Sequence, residues 1–147
     1  PFYEGRSEEE AYREYFMSII DNIKKFKNFD VYGHLDYVVR YGPNKDADYT
    51  YTKYRDLLDH ILELLIDNGK GIEINTGGVC KNLKELHPCT DIIKRYKELG
   101  GEIITIGSDA HNTARVGQYA GRSLAMLEEI FGHVCTFADR QPVFHKL

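Results

Sequence analysis

The chain has 147 residues, 42% of them hydrophobic and 29% charged, which suits one domain with a real core. Its formal net charge of -4 argues against a nucleic-acid groove and against binding to an anionic membrane surface. No apolar run approaches the ~20 residues of a membrane span, and the opening PFYEGRSEEE has neither the basic nor the apolar region of a signal peptide.

The chain order begins with a helix. In GRSEEEAYREYFMSIIDNIKKF, Ser7 and Glu10 have capping-box spacing, and Tyr12, Tyr15, Phe16, Ile19, Ile20 and Ile23 recur at helical intervals. FDVYGHLD reads as a short strand and PNKDADYT as a turn-rich loop. YTKYRDLLDHILELLIDNGK is a second helix, stopped by Asn68-Gly69. GIEINTGG is a second strand, and NLKELHPC a loop around Pro88. CTDIIKRYKELGG is a third helix, with Thr90 as its expected cap and Gly100-Gly101 as its stop. EIITIGSD is a third strand, ARVGQYAGRSLAMLEEIFG contains a fourth helix, and HVCTFAD is a fourth short strand before the tail RQPVFHKL. Strands alternating with helices at this spacing predict an α/β fold of βαβ units, with about four parallel strands in a sheet or barrel.

Each of the first three strands ends on residues of functional type: His34 and Asp36, Glu73 and Asn75, Asp109 and His111. In parallel α/β folds the carboxyl ends of the strands share one face, and that face carries the site. Asp109 and His111, two apart at an extended strand end, point the same way and can grip one cation or bridge two. Zn, Mn or Fe suits such a set. The competing reading makes Asp109 a helix cap and His111 a loop residue. His34 repeats the pattern after Gly33, against the alternative of a satisfied core histidine. Asp36 is read as orienting an imidazole, or simply as a cap. Glu73, inside a buried strand, needs a partner: a metal, a metal-bound His, or a Lys or Arg. A supporting role is favoured. Asn75 lies nearer the mouth and is expected to contact substrate.

Arg40, just past the first strand, suits a phosphate, although a solvated loop charge is the plainer reading. Arg115 and Arg122 are weaker candidates of the same kind. His60, His87, His133 and His145 read as structural or solvated. Cys80, Cys89 and Cys135 are odd in number and lack CxxC spacing, which argues against a disulfide framework and fits reduced thiols in the cytoplasm. The 11 Tyr and 7 Phe, with no Trp, suggest rings buried beneath wet hydroxyls around a polar cleft. GxSxG, P-loop, GxGxxG and HExxH motifs are all absent.

At YGHLDYVVRYG, GIEINTGG and IGSDAH the chain resembles the C-terminal half of a PHP-family phosphoesterase, nearest to the histidinol-phosphatase type. The resemblance implies part of a distorted (βα)7 TIM-like barrel, residues 1–147 forming the C-terminal part of a single domain. It implies up to three divalent metals and hydrolysis of L-histidinol phosphate to L-histidinol and phosphate, a step of histidine biosynthesis. It assigns His34, Asp109 and His111 as metal-binding and catalytic residues, with Arg40 as a phosphate contact. The family's HxH strand and the His, Glu and His ligands that follow it are not in this sequence, which also lacks an initiator Met. The expectation is therefore a fragment with an incomplete site, completed by a missing N-terminal half or by a homodimer partner. The other readings are a PHP exonuclease or polymerase-associated domain, which the charge of -4 disfavours, and a non-catalytic relic.

Overall fold

The computed structural model describes residues 2–79 and 83–147. It contains helices α1 (Glu8–Lys25), α2 (Arg55–Asp67), α3 (Thr90–Glu98) and α4 (Ala120–Ile130), and strands β1 (Val31–Tyr32), β2 (Gly71–Asn75), β3 (Ile104–Gly107), β4 (His133–Ala138) and β5 (Gln141–Lys146). Short 3₁₀ turns at Tyr37–Tyr41 and Tyr51–Tyr54 fill the loop between β1 and α2, and a third lies at Thr113–Arg115.

The first helix starts where its cap requires. The Ser7 N–H donates to Glu10 Oε2 at 2.8 Å and the Glu10 N–H donates to Ser7 Oγ at 3.2 Å, so two orphan donors are satisfied reciprocally. Glu8, Glu9 and Glu10 lie at its positive end, and Lys24 and Lys25 at its negative end. Its apolar stripe, Tyr12, Phe16, Ile19 and Ile23, is buried against the Leu58, Ile61, Leu62 and Leu65 stripe of α2. Helix α2 stops at Gly69, whose φ of +66° lets the Lys70 N–H reach back to the Leu65 carbonyl at 2.8 Å. Helix α3 begins one residue earlier than expected. Its N-cap is Cys89, which makes no side-chain capping bond, and the Thr90 N–H is held instead by Glu85 Oε2 at 2.7 Å.

Strands β1, β2 and β3 form one parallel sheet in that order, with Tyr32 opposite Ile72, Glu73 opposite Thr105 and Asn75 opposite Gly107. The alternation of β2 sends Ile72 and Ile74 into the helix-covered core, and Glu73 to the opposite face. The expectation of about four parallel strands is corrected here to three. HVCTFAD does form a strand, but it pairs antiparallel with the supposed tail, from His133 opposite Lys146 to Ala138 opposite Gln141. The connection is two residues, Asp139 and Arg140, both at positive φ (49° and 63°), which gives the primed turn whose twist suits a hairpin. The hairpin tip is fastened across the molecule, with Arg140 Nε and Nη2 each 3.0 Å from an oxygen of Asp30. Among the described residues, no helix is long and apolar enough to cross a membrane.

Candidate metal centre

Two of the predicted ligands sit in unusual backbone conformations. His34, two residues past β1, has φ 51°, and Asp109, two residues past β3, has φ 50°. Left-handed backbone is uncommon for residues other than glycine and clusters where structure holds a functional group in place. The parallel register brings these two strand ends to the same edge of the sheet, on either side of β2.

Glu73 lies between them. Its Oε2 is 3.3 Å from His34 Nδ1 and accepts from Asn75 Nδ2 at 3.1 Å. The carboxylate is cradled by glycines of the flanking strands: a Cβ on Gly107 would fall 1.9 Å from Oε1, and one on Gly33 would fall 3.3 Å from Oε2. Burial pushes the Glu73 pKa up, but the bonds from His34 and Asn75 outweigh it and hold the carboxyl below its ordinary range. The same bond to Glu73 lifts His34 above the ordinary imidazole value, against the opposing effect of burial. Glu73, which its position in the strand requires to have a partner, has His34 and Asn75.

His111 is 81% exposed, and its Nδ1 lies 2.8 Å from the Asp109 carbonyl oxygen. A carbonyl only accepts, so in this contact Nδ1 carries the proton and Nε2 presents its lone pair. His34 is held through Nδ1 as well, by a carboxylate. Both imidazoles are thus tied to an oxygen through Nδ1, the arrangement that leaves Nε2 as the ligating atom once the ring is neutral. The Asp109 carboxylate lies 3.7 Å from Arg40 Nη1 and 3.9 Å from His111 Nδ1. By donor chemistry His34, Asp109 and His111 fit a Zn, Mn or Fe site. Among the described residues, however, no group of three or more His, Cys, Asp or Glu is gathered closely enough to hold an ion alone.

Beside these donors lies a cavity of about 240 Å³ lined by Tyr37, Arg40, Tyr41, Gly77, Ser108, Asp109, His111 and Arg115. The Arg40 side chain is only 12% exposed, and its guanidinium stacks over Tyr37 and Tyr41 at 5.2 and 5.9 Å from the ring centroids. Arg115, a weaker candidate by sequence, lines the same cavity, whereas Arg122 does not.

Three further residues are buried. Asn75 is 4% exposed, and its amide is engaged internally, donating to Glu73 and accepting the Gly77 N–H at 2.8 Å, rather than standing open at the mouth. Asp36 does orient an imidazole, but that of His87: Asp36 Oδ1 is 2.7 Å from His87 Nδ1, and Oδ2 accepts the Cys89 N–H at 2.9 Å. His87, read as structural or solvated, is buried at 2% exposure beneath the site. Cys89 and Cys135 are free buried thiols, and burial pushes both pKa values up. Cys80 lies outside the described residues.

Parallel strands thus carry His and Asp-x-His side chains at their carboxyl ends, beside a cavity lined by Arg40 and Arg115. Residues 1–77, more than half of the 147-residue chain, match the PHP domain, and the chain belongs to the PHP domain family. His34 and Glu73 fall within the matched span, and Asp109 and His111 beyond it.

The chain is 39% identical over 114 residues to the histidinol-phosphatase of Lactococcus lactis, an alignment covering 78% of this chain and 42% of that protein. The crystal structure of histidinol phosphate phosphatase from Lactococcus lactis, complexed with zinc, L-histidinol and phosphate, superposes with a TM-score of 0.82 at 32% identity. That superposition covers 97% of this chain and 54% of the other. A Listeria monocytogenes structure superposes with a TM-score of 0.68 at 21% identity over 81% of this chain and 46% of its own, a likeness that concerns the fold alone. The chain spans about half the length of the curated relatives it matches.

Proposed function

We propose that this chain is the C-terminal part of a single PHP metallophosphoesterase domain, a distorted (βα)7 barrel when whole, that hydrolyses L-histidinol phosphate to L-histidinol and phosphate in the cytoplasm. The observation that carries this reading is the close superposition on a phosphatase solved with zinc, L-histidinol and phosphate, joined to donors of the right type on this chain's own strand ends.

In this reading His34, Asp109 and His111 hold the cation through two imidazole Nε2 atoms and a carboxylate. Bound Zn, Mn or Fe, up to three ions in the complete site, supplies Lewis acidity toward water and the phosphoryl oxygens. Glu73 keeps His34 facing the site. Arg40, stiffened by the two tyrosine rings, offers a planar fork to a phosphate oxygen, and Arg115, lining the same cavity, offers a second cation. The phosphate end of the substrate thus enters the 240 Å³ cavity between them. A set too sparse to hold an ion alone takes its remaining ligands from an N-terminal part or from a second copy of the chain.

The test is phosphate release from L-histidinol phosphate with zinc or manganese, the chain beside its His111→Ala variant. Release that disappears in the variant supports the reading. Equal release from both contradicts it. Release only after the preceding portion of a full-length relative is added supports the reading and assigns the completing partner.

A further inference from the structure

His87 lies outside every set of candidate ligands, yet the strand ends that carry His34 and Asp109 both lean on it. We infer that His87, fixed by Asp36, is a positioning residue that braces both left-handed strand ends of the metal centre. The inference rests on the metal-site reading of His34 and Asp109.

The first arm runs through the backbone. The Asn75 N–H donates to the His87 carbonyl at 2.6 Å and the His87 N–H donates to the Asn75 carbonyl at 3.0 Å, so the loop before α3 is clipped to the end of β2. Asn75 then donates from Nδ2 to Glu73 at 3.1 Å, and Glu73 holds His34 at 3.3 Å. Two residues, Asn75 and Glu73, link His87 to a candidate ligand. The Tyr37 ring adds a packed route, its centroid 5.0 Å from that of His34 and 6.0 Å from that of His87.

The second arm runs through the imidazole itself. Gly78 lies against the ring so closely that a Cβ there would fall 2.9 Å from Cδ2 and 3.2 Å from Nε2 of His87. Its neighbour Gly77 is tied to Asn75 Oδ1 at 2.8 Å and lies under Asp109, where a Cβ would fall 3.4 Å from the Asp109 Cβ. The Thr76 N–H donates to the Gly107 carbonyl at 2.9 Å, fastening this turn to the end of β3. The turn Asn75–Gly78 is thus wedged between a buried imidazole and a candidate ligand, and side chains on its two glycines would not fit.

A purely packing role would not call for histidine. Among the described residues, Nε2 of His87 is buried without a hydrogen-bond partner, a cost that a phenylalanine or leucine would avoid. What a hydrocarbon cannot supply is the directed bond to Asp36, whose other oxygen is fixed by the Cys89 N–H. That bond fixes the loop residue whose backbone is clipped to Asn75, and so fixes the turn.

The experiment is ¹⁵N NMR of the His34 imidazole in the metal-free chain, for wild type, His87→Phe and His87→Asn. Phenylalanine keeps the ring and loses the bond to Asp36, and asparagine places an amide N–H where Nδ1 stood. Wild type and His87→Asn are expected to hold His34 with its proton on Nδ1, and His87→Phe to release it to the mixture of a free imidazole. Zinc affinity is expected to fall about 10–100-fold in His87→Phe and to return in His87→Asn. A folded His87→Phe with unchanged His34 nitrogen shifts would overturn the inference. Should His87→Phe not fold, Asp36→Asn, which keeps the shape of the acid and removes its charge from the bond to His87, is read in the same way, and unchanged shifts there also overturn it. Should the chain alone bind no zinc, as a set lacking its remaining ligands would, the NMR comparison, made without metal, decides the inference.

Discussion

Glu73 reaches from the middle strand to His34 on the neighbouring strand end and meets its Nδ1 at 3.3 Å. An acidic side chain in a strand otherwise made of Gly, Ile and Asn is thereby given a partner, and an exposed imidazole is given one orientation. Replacing Glu73 with Ala leaves His34 free to turn. Zinc affinity is expected to fall about 10–100-fold while the far-ultraviolet circular dichroism stays that of the wild type. Competition against a chelating dye measures this. Unaltered affinity would remove Glu73 from the site.

Gly107 makes room for that carboxylate. A methyl group there would lie 1.9 Å from Glu73 Oε1 and 2.7 Å from Cδ, so Gly107→Ala must move either the strand or the acid. A loss of about 1–3 kcal/mol is expected, read from urea unfolding. Gly121, inside α4 with open space around its Cα, is the comparator: Gly121→Ala is expected to stabilise by about 0.4–1 kcal/mol.

Arg40 is expected to act through its shape as well as its charge. Arg40→Ala should weaken inorganic phosphate binding by the zinc-loaded protein about 10–100-fold, the scale of a lost hydrogen bond to a charged group. Arg40→Lys keeps the charge but loses the fork and the stacking on Tyr37 and Tyr41, and should recover only part of the affinity. Isothermal titration calorimetry distinguishes the three proteins.

Acid stability should report Asp59. Burial pushes its pKa up, but bonds from Arg95 at 3.0 Å and from the Tyr51 hydroxyl at 2.5 Å outweigh that and leave it lowered. A depressed folded pKa gives stability that is complete above the unfolded value of about 3.9 and is lost as pH falls through the folded value. The urea midpoint of the wild type should therefore drop as pH falls below about 4, and Asp59→Asn should flatten that limb. Parallel acid limbs for the two proteins would refute the assignment.

Much of this was legible in local pattern. The capping box of α1, the apolar stripes of α1 and α2 and the glycine stops of α2 and α3 are short-range signals, and the structure has them where the residues put them. So is the decoration of strand ends with His, Glu and Asp. What was not legible depends on distant partners. Strand β5 carries Pro142, which speaks against a strand, and its turn Asp139-Arg140 lacks the Asn-Gly that marks a primed hairpin; only the pairing with β4 makes it a strand. His87 precedes a proline in a loop, and its burial comes from Asp36, 51 positions away. Asn75 has the alternation of a mouth residue, but the loop carrying His87 closes over it. The pair of glycines in NTGG was the available sign, since both mark close approaches that only a folded neighbour explains.

The central claim is that His34, Asp109 and His111 supply ligands to the metal centre of the completed domain. Zinc K-edge X-ray absorption on the chain loaded with zinc together with the preceding portion of a full-length relative tests it most directly, with His34→Ala and His111→Ala measured alongside. The account predicts a nitrogen and oxygen shell with imidazole scattering that weakens in each variant. A shell containing sulfur, or imidazole scattering unchanged by both substitutions, would contradict it.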